Sequence, residues 1–198
     1  MKKMLLSLAL ALIISLTLSS GFALAEDMEG SAAKEPAAAE EPAAPVEPAP
    51  IKVHEVGDTL PYFALPDGLS GKTIEVSSDI LGQDDRLIAM VFMTTSCSAC
   101  QAEVALMSRL AAKHEKDLKV YVLAVDMRGD RQVKDYHQTY KYNVSYLLDP
   151  GFTVPPLFGF DYTPALVLLN KKGEILYKKG GYNSGDADEL IKQVRSRL

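Results

Sequence analysis

Five runs between Leu87 and Lys179 have the length of strands, separated by helical patterns and turns. Leu87 to Met93 (LIAMVFM) is apolar at every position, which predicts a strand buried on both faces. From Ser98 to about Lys116, Val104, Met107, Leu110 and Ala111 recur at helical spacing, with Gln101, Glu103, Arg109 and Lys113 among the polar positions, which predicts a helix. Lys119 to Asp126 (KVYVLAVD) reads as a second central strand, Arg131 to Lys141 as a helix, and Ser145 to Leu148 as a short strand that ends at a turn, Asp149-Pro150-Gly151. Ala165 to Leu169 (ALVLL) predicts another buried strand. Lys171-Lys172-Gly173-Glu174 is hairpin-turn chemistry, Ile175 to Lys179 is the returning strand, and Asp186 to Arg197 is a closing amphipathic helix. Strands alternating with helices predict an α/β sheet, and the late hairpin adds an antiparallel edge.

The first 50 residues follow a different pattern. Lys2 and Lys3 precede an apolar run from Met4 to Leu18, and Ala23-Leu24-Ala25 has the form of an export cleavage site, so residues 1–25 are expected to be a signal peptide. The apolar run is short for a spanning helix, which needs about 20 residues; a retained anchor is the alternative. Residues 26–50 are nearly all Ala, Glu and Pro, too poor in large apolar groups to offset chain entropy, and are expected to form a disordered, extended linker. Residues 51–198 are then one domain's worth of chain. The formal charge is −5, and the linker carries most of the acid excess: Glu26, Asp27, Glu29, Glu35, Glu40, Glu41 and Glu47 against Lys34. The domain itself is nearly neutral, with no charge pattern for nucleic acid.

The chain has two cysteines, Cys97 and Cys100, separated by Ser98 and Ala99. A disulfide closing so small a loop adds little stability, which weighs against a structural bridge. A zinc site needs further ligands, and His54, His114 and His137 form no ligand-spaced cluster with the pair. Redox chemistry is the reading left standing, with no metal or other cofactor beyond the pair itself. The pair lies where a buried strand turns into a helix, and the unpaired N–H groups of a helix N-terminus favour a thiolate. Such a field contributes about 1 kcal/mol, enough to lower an ordinary thiol near 8.5 by about one unit. Cys97, at the helix start, is the expected exposed nucleophile, and Cys100, one turn further in, the buried resolving thiol. Glu103 follows at the same spacing and lies near Cys100 on one helix face. It is either a proton acceptor for Cys100 or a solvated surface glutamate; spacing alone does not choose. Thr163-Pro164 stands directly before the ALVLL strand, where proline can begin a strand and where a cis peptide costs little.

These residues together resemble the thioredoxin fold, and within it the exported thiol–disulfide reductases of the TlpA/ResA type. The resemblance runs from about Val56 to the C-terminus. It is carried by Val56-Gly57-Asp58 with Pro61-Tyr62-Phe63-Ala64-Leu65, the Gly71-Lys72 turn, Cys97-x-x-Cys100-x-x-Glu103, Ala124-Val125-Asp126, Thr163-Pro164 and Asn170-Lys171-Lys172-Gly173-Glu174-Ile175. It implies a central mixed β-sheet flanked by helices, with an N-terminal β extension. It also implies Cys97 as nucleophile, Cys100 as resolver, and Thr163-Pro164 as a cis-proline loop beside the disulfide, where Thr163 backbone groups pair with substrate. Glu103 becomes the acid that tunes the thiols; Asp126 is a less favoured second acid, read first as the end of its strand. Three features depart from the pattern. The chain has no Trp before the first cysteine, reading Met93-Thr94-Thr95-Ser96; the dipeptide between the cysteines, Ser98-Ala99, lacks the frequent proline; and Val91 stands where thioredoxin has a buried Asp.

The expected function is that of a periplasmic or otherwise exported reductase, working as a monomer. It would take electrons from a membrane thiol donor and reduce disulfides of exported proteins, such as apocytochromes c. The alternatives are a dithiol oxidase that introduces disulfides, a thioredoxin-like binding or metallochaperone module, and a peroxidase. The last is disfavoured because the cysteines have thioredoxin spacing.

Overall fold

The computed structural model describes residues 50–81 and 85–198. The expected signal peptide, and all of the expected linker except Pro50, lie outside the described residues.

A five-stranded sheet forms the centre. Its strands are β3 (Leu87–Met93), β4 (Leu118–Ala124), β5 (Ser145–Leu148), β6 (Ala165–Leu169) and β7 (Ile175–Gly180), in the spatial order β5-β4-β3-β6-β7. Before them, β1 (Ala64–Pro66) and β2 (Thr73–Glu75) pair as a separate antiparallel hairpin. The central sheet is mixed: β3, β4 and β5 run parallel, β6 is antiparallel to β3, and β7 is antiparallel to β6. Three helices accompany it, α1 (Ser98–Lys113), α2 (Asp130–Tyr140) and α3 (Ala187–Arg195).

The continuous apolar run of β3 follows from coverage of both faces. Leu87, Ala89, Val91 and Met93 point to one side and pack with Val104, Met107 and Leu110 of α1, Val133 and Tyr136 of α2, and Leu190 and Val194 of α3. Ile88, Met90 and Phe92 point to the other. There, among the described residues, no long helix lies over them; the cover is the segment ahead of β3 (Leu60, Phe63, Leu65, Val76, Ile80) and the loop bearing Val154, Phe158 and Phe160. Period-two alternation with apolar groups at every position is the signature of a strand buried on both sides.

The predicted elements appear with small shifts at their ends. The helix expected to reach Lys116 stops at Lys113, because the next residues turn back through the His114 carbonyl, which accepts from the N–H groups of Asp117 and Leu118. At the β6–β7 turn, Gly173 has φ +80°, and a Cβ there would lie 2.7 Å from Leu81 Cδ1, so the turn requires glycine. A bulge between Leu168 and Leu169 shifts the register of β7.

The turn expected at Asp149-Pro150-Gly151 is anchored from below. The Asp149 carboxylate is buried and accepts from the Thr153 amide (2.8 Å), the Thr153 hydroxyl (2.7 Å) and the Val154 amide (2.9 Å). This anchor fixes the loop that carries Val154 and Phe158 onto the second face. Asp149→Asn puts an amide donor against backbone donors, and the variant is expected to lose about 1–3 kcal/mol in urea unfolding.

Candidate active site

Because β3 is the central strand, its C-terminal end lies between the ends of β4 and β6, and the chain leaves it through Thr94-Thr95-Ser96 into α1. Cys97 is the N-cap residue of that helix, with extended backbone angles (φ −85°, ψ 117°), and its sulfur accepts from the Cys100 amide at 3.1 Å. The Cys97 carbonyl accepts from the Gln101 amide and begins the helix ladder. Cys97 and Cys100 are joined as a disulfide with Cα atoms 5.2 Å apart. Cys97 is half-buried, whereas Cys100 has no exposed surface. Only one of the two sulfurs is open to an incoming reagent.

The antiparallel register brings the second part of the site here. Phe92 pairs with Ala165, so Thr163 and Pro164, just before β6, lie alongside the chain that leads to Cys97. The Thr163–Pro164 peptide is cis. Pro164 is buried, its carbonyl accepts from the Gly181 amide at 2.7 Å, and Thr163 is half-buried.

Glu103 is a surface residue in one sequence reading, and the structure removes that reading. Its side chain is wholly buried, and neither carboxylate oxygen has a hydrogen-bond partner among the described residues. It sits one turn beyond the buried Cys100 on the same helix. Burial pushes its carboxyl up to about 8; the Lys179 ammonium draws it down and the Asp186 carboxylate raises it further. Lys179 and Asp186 are themselves paired at 3.2 Å. A carboxyl in this setting is a neutral acid at pH 7 and exchanges its proton near pH 8. The Val91 site, 0 % exposed within the helix-side core, carries no acid.

Asp126 does more than end a strand. It lies two residues beyond β4, is 4 % exposed, and its carboxylate gathers the loop before Cys97. Both oxygens accept from the Thr95 amide at 3.0 Å, Oδ1 accepts from the Thr95 hydroxyl at 2.7 Å, and Gln132 of α2 donates to Oδ1 at 3.2 Å. From the helix side, Gln101 donates to the Thr95 carbonyl at 2.7 Å. Sequence reasoning missed this network because Thr95 and Asp126 are 31 residues apart. The readable signal was a charged side chain at the end of a strand otherwise destined for the core. A shallow cleft of about 360 Å³ opens beside Ser96, lined by Gln101, Arg128, Gln132, Tyr136 and Tyr140 among others. Among the described residues no cluster of three or more His, Cys, Asp or Glu is placed to hold a metal ion, and no helix is long and apolar enough to cross a membrane.

Comparison with known proteins agrees with this architecture. The family model described as "AhpC/TSA family" matches residues 56–178. No curated protein matches the chain. Among solved structures, the proposed thiol:disulfide interchange protein DsbE of Chlorobium tepidum is 21 % identical with a TM-score of 0.64, covering 72 % of this chain and 97 % of its own. The dsbF protein of MTB, solved in mixed oxidized and reduced forms, is 22 % identical with a TM-score of 0.58, covering 71 % of this chain and 100 % of its own. A proposed thioredoxin of Neisseria meningitidis is 28 % identical with a TM-score of 0.56, covering 69 % of this chain and 89 % of its own. The expected thioredoxin fold, with its mixed sheet and N-terminal β extension, is the fold observed.

Proposed function

The chain belongs to the AhpC/TSA family, and from that premise we propose that it is a thiol–disulfide oxidoreductase that reduces disulfides of exported proteins, apocytochromes c among them. The observation that carries the reading is the asymmetry of the cysteine pair: Cys97 half-open at a helix N-terminus, Cys100 sealed behind it.

That asymmetry orders the chemistry. The Cys97 thiolate attacks a substrate disulfide and forms a mixed disulfide, and the first substrate sulfur leaves as a thiolate. Cys100 then gives up its proton, and its thiolate attacks Cys97 Sγ. The Cys97–Cys100 disulfide forms, and the second substrate sulfur leaves. Two electrons pass from the dithiol to the substrate. Glu103, one helical turn beyond Cys100, is the group we assign to take the Cys100 proton; it does so from its ionised form, the minor form at pH 7 and the major one above about pH 8. Thr163, ahead of the cis-Pro164 bond, is assigned to hold the substrate backbone beside the pair.

The remaining organisation follows from the sequence. Residues 1–25 direct export and are removed, residues 26–50 space the domain from its partners, and residues 51–198 carry the reaction as a monomer. A membrane thiol donor returns the pair to the dithiol state.

The equilibrium reduction potential of the pair against glutathione tests the direction of flow. A reductase is expected at or below roughly −220 mV, toward thioredoxin near −270 mV. A value near about −120 mV would overturn the reductase reading in favour of an enzyme that introduces disulfides.

A further inference from the structure

The loop that delivers Cys97 to the helix is only three residues long, yet a side chain of α1 and the residue beyond the end of β4 both bond its middle residue. Thr95 gives its amide and hydroxyl to Asp126, and its carbonyl takes a bond from Gln101. Asp126 is held in turn by Gln132, whose other amide atom, Oε1, accepts from the Arg128 amide at 3.0 Å. Every polar group of Thr95 is therefore committed. The two residues beside it do not share this: Ser96 is exposed and Thr94 makes only the turn bond from the Cys97 amide, at 3.2 Å.

We propose that Asp126 is a positioning residue: acting through Thr95, it holds Cys97 in the N-cap place of α1, where the helix N–H groups face its sulfur. This rests on the reading of Cys97 as the nucleophile. Charge-assisted bonds from a carboxylate are roughly twice as strong as neutral ones, and a buried acceptor must be satisfied, so the clamp is costly to release. The benefit falls on the sulfur. An N-cap acceptor receives the orphan N–H groups only in extended backbone geometry, which is the geometry Cys97 has. A loose loop lets Cys97 leave that place, and its thiolate then loses the field of the helix. Tryptophan before the first cysteine would hold such a loop by packing; here, with Thr-Thr-Ser instead, polar bonds do it.

The titratable and charged groups around the pair are Asp126 beyond the end of β4, Arg128, Asp135, Tyr136 and Tyr140 in the cleft beside Ser96, and Glu103 on α1 with Lys179, Asp186 and Tyr182 facing it. A test must therefore weaken the clamp without changing charge. Thr95→Ala removes the hydroxyl bond and leaves the backbone bonds of residue 95, and Thr95→Ser restores the hydroxyl. In the reduced full chain, alkylation of Cys97 by iodoacetamide is followed against pH by mass spectrometry. Thr95→Ala is expected to raise the midpoint by about half a pH unit, about a threefold loss of thiolate below it, and Thr95→Ser to return it to the wild-type position. In an Asp126→Ala background, which removes the acceptor, Thr95→Ala is expected to add nothing. A wild-type midpoint in Thr95→Ala, or an equal shift in both backgrounds, overturns the proposal. Should Asp126→Ala fail to fold, the Ala and Ser pair at Thr95 decides alone. A wild-type chain that alkylates at Cys97 yet reduces no protein disulfide sinks the functional reading instead, and the clamp is still judged on the same midpoints.

Discussion

Cys97→Ser is expected to reduce protein-disulfide reduction to background, a loss of at least about 10³-fold, while Cys100→Ser is expected to stop the reaction half-way. The difference follows from exposure. Cys97 is the half-buried N-cap sulfur, so without it no thiolate meets the substrate. Cys100 has no exposed surface and makes no first attack. With Cys100 gone, the first step still occurs, and the mixed disulfide at Cys97 has no internal thiol to resolve it. It should accumulate and be visible as a covalent adduct on a non-reducing gel. Neither change should unfold the chain, because the disulfide spans a sequence separation of 3 and constrains little of the unfolded ensemble. Equal trapping by both variants, or activity surviving in Cys97→Ser, would remove Cys97 from the nucleophile's role.

The parts of this site legible in the sequence were those built from local pattern. The run from Leu87 to Met93 reads as a doubly buried strand, and the helix that follows puts a cysteine pair at its start. Thr163-Pro164 stands at the head of an apolar strand, and antiparallel pairing with β3 delivers it to the pair. What the sequence left open depends on faces and on distant partners. Glu103 is the instructive case. It sits four residues before Met107 and seven before Leu110, so it falls on the apolar stripe of α1 itself. Read by helical position rather than by residue type, it was a buried carboxyl. Asp126 shows the other limit: its partner lies on another element, and only the parallel pairing of β3 with β4 brings the two strand ends together. The cover of the second face, from Leu60 to Ile80 and from Val154 to Phe160, has no helical or alternating period to announce it.

Glu103→Gln is expected to remove a pH dependence of stability worth on the order of 5 kcal/mol, and to slow resolution by Cys100. The carboxyl titrates at about 8 in the folded chain, against an ordinary 4.5, chiefly because burial penalises its charge. Between those two values the unfolded chain has lost the proton and the folded chain keeps it. The folded state then binds more protons, so stability falls as pH rises. The contribution is complete below about pH 4.5 and fully lost above pH 8. The gap of about 3.5 units, at about 1.4 kcal/mol each, gives the magnitude. Gln has nearly the same shape and does not ionise. Urea unfolding of the oxidised protein should show the two chains close together near pH 4 and the variant progressively more stable toward pH 8. Parallel curves would mean that Glu103 does not carry a retained proton. The same carboxyl, once ionised, is the group assigned to the reaction. A carboxyl wholly buried, unpartnered and adjacent to Cys100 lowers stability at neutral pH, and a packed apolar residue there would not. Its cost makes sense if it receives the Cys100 proton at the moment the mixed disulfide resolves. In single-turnover reduction, Glu103→Gln should leave formation of the mixed disulfide at Cys97 near its wild-type rate. The decay of that intermediate should slow by about 10- to 100-fold, within the range typical of a removed acid–base group. Equal slowing of both steps would point to a disturbed helix rather than a lost proton acceptor.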